Sequence, residues 1–126
     1  MKIHASGIGV DAGIICISDP DYYKRFINEY AEDSMLQNSF DVVPNGKYKC
    51  KWKIPDSWNG ELEDEKIIEI TSGKIVITDP CYVIDDEWDE FLEDFYEKRN
   101  MDNVIVIDNM GGDGVYEVII DLERID

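Results

Sequence analysis

Two stretches bring carboxylate, thiol and phenol groups close together. "GKIVITDPCYV" (73–83) carries Asp79, Cys81 and Tyr82, and "DNMGGDGVY" (108–116) carries Asp108, Gly112 and Asp113. A thiol beside a base is a potential nucleophile, three carboxylates can hold a hard cation, and glycines let backbone approach a ligand closely. Sixty residues before the first stretch the chain reads "GIICISDPDYY", with Asp19 and Tyr22 in the matching places. If the two halves face each other, Tyr22, Asp79, Cys81, Tyr82, Gly112 and Asp113 line one candidate ligand pocket.

The residue types limit what such a pocket can do. Cys81 needs a base, and the chain has one histidine, His4, inside a predicted strand. The position matching Cys81 is Asp21, so the repeated phrase does not require a thiol. The glycine loop departs from the calcium template D-x-[DN]-x-[DN]-G, so no metal and no cofactor is expected. No nucleophile elbow, phosphate-binding loop or zinc spacing is present. A small hydrolase or metal-dependent enzyme at Asp79, Cys81 and Asp113 is the alternative reading; a non-catalytic binding protein is the main one. Asp-Pro also has a structural reading. An Asp side chain accepts the free N–H groups of a turn, and Pro at the next position lacks an N–H that would be unpaired there anyway.

The repeat extends beyond the phrase. At an offset of 60, Ile8, Val10, Gly13, Ile15, Ile17, Asp19, Pro20 and Tyr22 fall on Ile68, Ile70, Gly73, Ile75, Ile77, Asp79, Pro80 and Tyr82. At an offset of 68, Tyr48, Cys50, Trp52 and Ile54 fall on Tyr116, Val118, Ile120 and Leu122. The expected fold class is α+β: an internal duplication of a ββαβ-type unit about a pseudo-twofold axis, in a mixed or antiparallel sheet or small barrel with two helices. Each half opens with a strand pair, 3–10 with 13–18 and 66–71 with 73–78. Helices follow at the Tyr23, Phe26, Ile27, Tyr30, Ala31 spacing and over 85–99, where Trp88, Phe91, Leu92 and Phe95 form a stripe. Strands at 40–44, 47–54, 103–108 and 115–122 complete the halves. One domain spans 1–126, with repeats at 1–55 and 67–126 and a linker at 56–66.

Charge is the unusual quantity. The chain of 126 residues has net charge −17 and is 44% hydrophobic, which excludes disorder by composition. Residues 1–55 hold seven acids and seven Lys/Arg; residues 56–126 hold 22 acids against five, so the second part carries the whole −17. Such a surface repels nucleic-acid phosphates and attracts basic protein surfaces. No apolar run reaches membrane-span length, no signal peptide is read at the start, and the three cysteines read as free thiols in a reducing cytosol.

Two charged features stand out. Lys47, Lys49, Lys51 and Lys53 alternate with apolar residues, while their counterparts include Glu117 and Asp121. Opposite charge at matching places suggests that those strands meet, within one chain or between two, so a homo-oligomer is admitted; the rival is a grip on a phosphorylated ligand. The helix over 85–99 carries eight acids between Asp85 and Glu97. Asp86, Glu90, Glu93, Asp94 and Glu97 are the candidate partner-binding residues.

The pattern G-x-I-x-I-[ST]-D-P-C-Y (Gly73 to Tyr82), followed by G-D-G-x-Y-x-V (Gly112 to Val118), resembles a group of small, uncharacterised proteins of bacteria and their phages. The resemblance covers most of the second half and, more faintly, Gly7 to Tyr22. It implies a cytoplasmic protein in a bacterial host and supplies no catalytic residues. By analogy, a small acidic phage protein inhibits a host function in defence or nucleic-acid handling. It would bind a basic host protein or sequester a small nucleotide-like ligand, with no direct nucleic-acid or membrane contact.

Overall fold

A computed structural model describes residues 1–11, 13–25, 40–55, 64–82, 84, 88–97, 103–107 and 113–125. Eight strands run along the chain: β1 (Lys2–Val10), β2 (Ile15–Ser18), β3 (Phe40–Val42), β4 (Gly46–Lys53), β5 (Asp64–Ile70), β6 (Lys74–Thr78), β7 (Val104–Ile107) and β8 (Gly114–Arg124). Two 3-10 turns, Pro20–Arg25 and Pro80–Tyr82, follow β2 and β6, and one helix, α1, spans Trp88–Glu97. The strands form two antiparallel four-stranded sheets, ordered β1-β8-β4-β5 and β3-β6-β2-β7.

The α+β expectation of two ββαβ units is therefore overturned. Antiparallel sheet dominates, and the described residues contain one short helix. The helix expected from Tyr23 onward begins as the 3-10 turn Pro20–Arg25, and its continuation lies outside the described residues. The expected strand pairs also fail. β1 and β2 lie in different sheets, as do β5 and β6. Each short connection is a corner between sheets, and Gly13 and Gly73 make it possible. Both have positive φ, 76° and 73°, a conformation that side chains with a Cβ rarely adopt. The repeated glycine is a repeated backbone requirement. β5 begins at Asp64, two residues before the expected strand.

Symmetry resides in the strands. Both sheet orders read the same when β1 and β5, β2 and β6, β3 and β7, and β4 and β8 are exchanged. A twofold axis must pass through pairs of equivalent residues. Ile17 and Ile77, equivalent at the offset of 60, face each other across β2 and β6. Trp52 and Ile120, equivalent at the offset of 68, face each other across β4 and β8.

Period-2 patterning explains the layers. The inner face of the first sheet (Ile8, Val10, Tyr48, Ile68, Ile70, Tyr116, Val118, Ile120 and Leu122 among others) packs on Ile15, Ile17, Ile75, Ile77 and Ile105 of the second. β2 and β6 are apolar at successive positions because the second sheet is covered twice. Its other face, with Ile14, Cys16, Val76 and Val104, packs under Tyr23, Ile84 and Phe91 of α1. Lys66 Nζ donates to the Val104 carbonyl at 2.8 Å, tying edge strands β5 and β7 together. Ile17 lies at the centre of this arrangement with no exposed surface. Ile17→Ala should destabilise the protein by about 2–5 kcal/mol, read as a shift in the urea midpoint. A shift equivalent to less than about 1 kcal/mol would show that the axis is loosely packed.

Candidate functional site

The Asp-Pro phrase closes β2 and β6, and the structure shows what its carboxylates hold. Asp19 and Asp79 are almost fully buried. Asp19 Oδ1 accepts the Asp21 N–H at 2.7 Å, and Asp79 Oδ1 accepts the Cys81 N–H at 2.9 Å. Each aspartate thus caps its own 3-10 turn. The second oxygens cross to the other half. Asp19 Oδ2 accepts the N–H groups of Thr71 and Ser72 at 2.7 and 2.8 Å and the Ser72 hydroxyl at 3.1 Å. Asp79 Oδ2 accepts the Asp11 N–H at 2.9 Å. Thr71 and Asp11 are equivalent at the offset of 60. Each half therefore closes the corner of the other, and both carboxylates are committed to backbone N–H groups.

This arrangement changes the reading of the predicted ligand residues. Asp79 is fully buried and holds a turn. Cys81 is half-buried, and its N–H belongs to the cap. The equivalent Asp21 accepts the Thr71 hydroxyl at 2.9 Å, a second bond across the halves. Tyr22 is half-buried and packs edge-on against the buried Tyr23, with ring centroids 5.2 Å apart. Asp113 is exposed, next to Gly114, which pairs with Val10 just before the Asp11 corner. In the first half the position equivalent to Asp113 is Asn45, whose Oδ1 accepts the Gly73 N–H at 2.7 Å. Gly112 and Asp108 lie outside the described residues, as does the Tyr82 side chain. Among the described residues no group of three His, Cys, Asp or Glu side chains is placed to hold a metal ion. The sequence missed the crossing bonds of Asp19, because nothing local marks Thr71 and Ser72 as their donors.

Two of the three thiols, Cys16 and Cys50, are buried. Burial, reinforced by the nearby negative Asp79, pushes the Cys16 thiol far above its ordinary range, opposed only in part by its interaction with the Tyr23 hydroxyl. Burial also raises the Tyr23 phenol. Burial, then the charge of Asp121, pushes Cys50 up to about 12. Neither Cys16 nor Cys50 is a nucleophile under ordinary conditions.

The acidic helix lies on one side only. α1 packs on the second sheet through Phe91, with Leu92 half-buried, and leaves Asp89, Glu90 and Glu93 exposed. Asp94 and Glu97 fall within α1, but their side chains lie outside the described residues, as does Asp86 altogether. The lysine strand is on the opposite side. β4 and β8 do meet, within the chain, placing Lys49 beside Glu123 and Lys51 beside Asp121; on its other flank Lys47 faces Glu69 and Lys51 faces Glu65. The counterparts named by the repeat, Glu117 and Asp121, are shifted in register, and Glu117 pairs instead with His4. Acids therefore stand opposite the lysines in the strand register.

A comparison of the chain with protein-family models, curated proteins and solved structures finds no match. Among the described residues no helix is long and apolar enough to cross a membrane.

Two predictions test the clamp. Asp19→Ala and Asp79→Ala should each cost about 2–4 kcal/mol in urea denaturation, because a buried carboxylate that holds both a turn and the other half's corner is lost; Cys81→Ala should cost less than about 1 kcal/mol. A neutral or stabilising Asp79→Ala would instead mark a ligand-binding carboxylate, since functional groups are commonly held at a cost to stability. Alkaline pH supplies the second test. The unfolded thiols ionise near the ordinary value of 9.0, whereas the folded Cys50 keeps its proton to about 12. The folded state then holds more protons, so stability is complete below pH 9 and falls between those values. The slope reaches about 1.4 kcal/mol per pH unit per thiol. Cys50→Ala should flatten that fall in urea midpoints measured from pH 8 upward.

Proposed function

We propose that the protein is a non-catalytic binding protein whose acidic, helix-bearing side engages a basic surface of another protein. One observation carries this reading: the outer face of the first sheet is balanced in charge, while α1 on the far side of the second sheet exposes Asp89, Glu90 and Glu93. The outer face of the first sheet holds Lys2, Lys47, Lys49, Lys51 and Lys53 against Glu65, Glu69, Glu117, Asp121 and Glu123. Without these five lysines and five acids, the chain has 24 acids against 7 Lys/Arg, which is the whole −17. Eight of those acids lie between Asp85 and Glu97. Acids in the first helical turn suit the helix dipole, but Glu93 and those beyond it do not serve that purpose. A field of this sign and sidedness steers a basic partner toward α1. Commitment of Asp19 and Asp79 to backbone weighs against both a small nucleotide-like ligand and a hydrolase at Asp79, Cys81 and Asp113. The resemblance to small bacterial and phage proteins sets the reading in a bacterial cytosol, with a host defence or nucleic-acid-handling protein as the inhibited target.

Native mass spectrometry of the protein recovered gently from bacterial cytosol tests this. A co-purifying basic protein, lost when Glu90, Glu93 and Asp94 are all changed to Lys and retained with Tyr82→Ala, is the expected result. The triple reversal should weaken the complex by at least ~10-fold. A retained small molecule lost in Tyr82→Ala would replace this reading with the ligand one, and a bare chain would count against both.

A further inference from the structure

We infer that the outer face of the first sheet docks a second copy of this chain. The register places one residue from each strand in a single row across the sheet. Lys2 of β1 faces Asp121 of β8, Asp121 faces Lys51 of β4, and Lys51 faces Glu65 of β5. All four are exposed, and their charges alternate from one edge to the other. The adjoining row sets Glu123 beside Lys49.

An alternating row of four is complementary to itself in one orientation. Let two sheets meet face to face about a twofold axis that runs parallel to the strands, between β8 and β4. Lys2 then meets Glu65 of the second copy, Asp121 meets Lys51, and Glu123 meets Lys49; each contact occurs twice, as isologous symmetry requires. An axis running along the row would set every residue against itself and is excluded by like charge. The row therefore specifies both the partner and its orientation.

Net charge limits where two copies can touch and keeps their association weak. Two copies at −17 repel wherever their acidic sides approach, whereas this face nets to zero. A basic partner would be drawn to the helix side instead. Ile67 and Val115, exposed at 54% and 69%, lie on this same face and add apolar area. Four strands spaced about 4.8 Å apart give roughly 400 Å² per copy, at the low end for specific interfaces, so the dimer is weak and concentration-dependent. In that dimer the two helix-bearing sides point away from each other, and a basic partner would meet a bivalent protein.

Sedimentation velocity of the full chain at about 150 mM salt, where repulsion beyond about 8 Å is screened, reads the association directly. The expected result is a monomer–dimer equilibrium that Lys51→Glu weakens by at least ~10-fold and that the double variant Lys51→Glu with Asp121→Lys restores. Circular dichroism identifies any variant that has lost its fold. Amide shifts of the unaltered protein on dilution give a test independent of mutation, with changes expected on β1, β4, β5 and β8. A chain that stays monomeric to about 1 mM, a dimer indifferent to Lys51→Glu, or dilution shifts confined to α1 would overturn the proposal.

Discussion

The fold depends on two buried carboxylates that reach across to each other's half. A buried Asp is expensive unless its oxygens are hydrogen-bonded, and here the bonds run to the backbone of the corners that move the chain between sheets. The same atoms therefore solve two problems. They satisfy corner N–H groups that no strand partner can reach, and they fix the two halves relative to each other. A lysine ion pair could not do this, because an ammonium has no acceptor to offer an N–H.

Packing follows from that constraint. With the corners fixed, β2 and β6 run side by side at the centre of the second sheet, and their isoleucines fill the space beneath the first. Neither half has a core of its own, since each sheet takes strands alternately from both. The first sheet leaves one face in water, where alternating charges hold the register. The second is enclosed, and its far face carries the helix. This division lets the outer face of the first sheet balance its charges while α1, on the other side, exposes Asp89, Glu90 and Glu93 without disturbing the core.

The strands were the legible part of the sequence. Alternation at Tyr48, Cys50, Trp52 and Ile54, and the unbroken apolar runs at 14–17 and 75–77, located all eight within a few residues, because burial on one or both faces is written directly in side-chain polarity. Which strands pair was not legible. The connections at 11–14 and 71–73 are as short as hairpin turns, and only tertiary structure reveals them as corners. The second aromatic stripe is the helix α1, as its spacing indicated; of the first, only Tyr23 lies among the described residues, in a 3-10 turn packed on the second sheet. The Asp-Pro phrase was recognised as both cap and candidate site. The cap half of that reading was available locally, from the Asp–Pro order. The crossing bonds depend on residues more than 50 positions away and left no mark in a single sequence. The acidity of 85–97 was plain from composition, but its sidedness needed the register of β4 with β5 and β8.

The position of β8 has a consequence for how the molecule is made. β8 sits between β1 and β4 in the first sheet. During synthesis β1 and β4 leave the ribosome with no common neighbour, and the sheet has no centre until residues 114–124 emerge. Most pairings join distant parts of the chain, a pattern that slows folding and leaves strand edges exposed meanwhile. Charged side chains on a strand edge are a general device against pairing with other chains, and β4 and β5 both carry them.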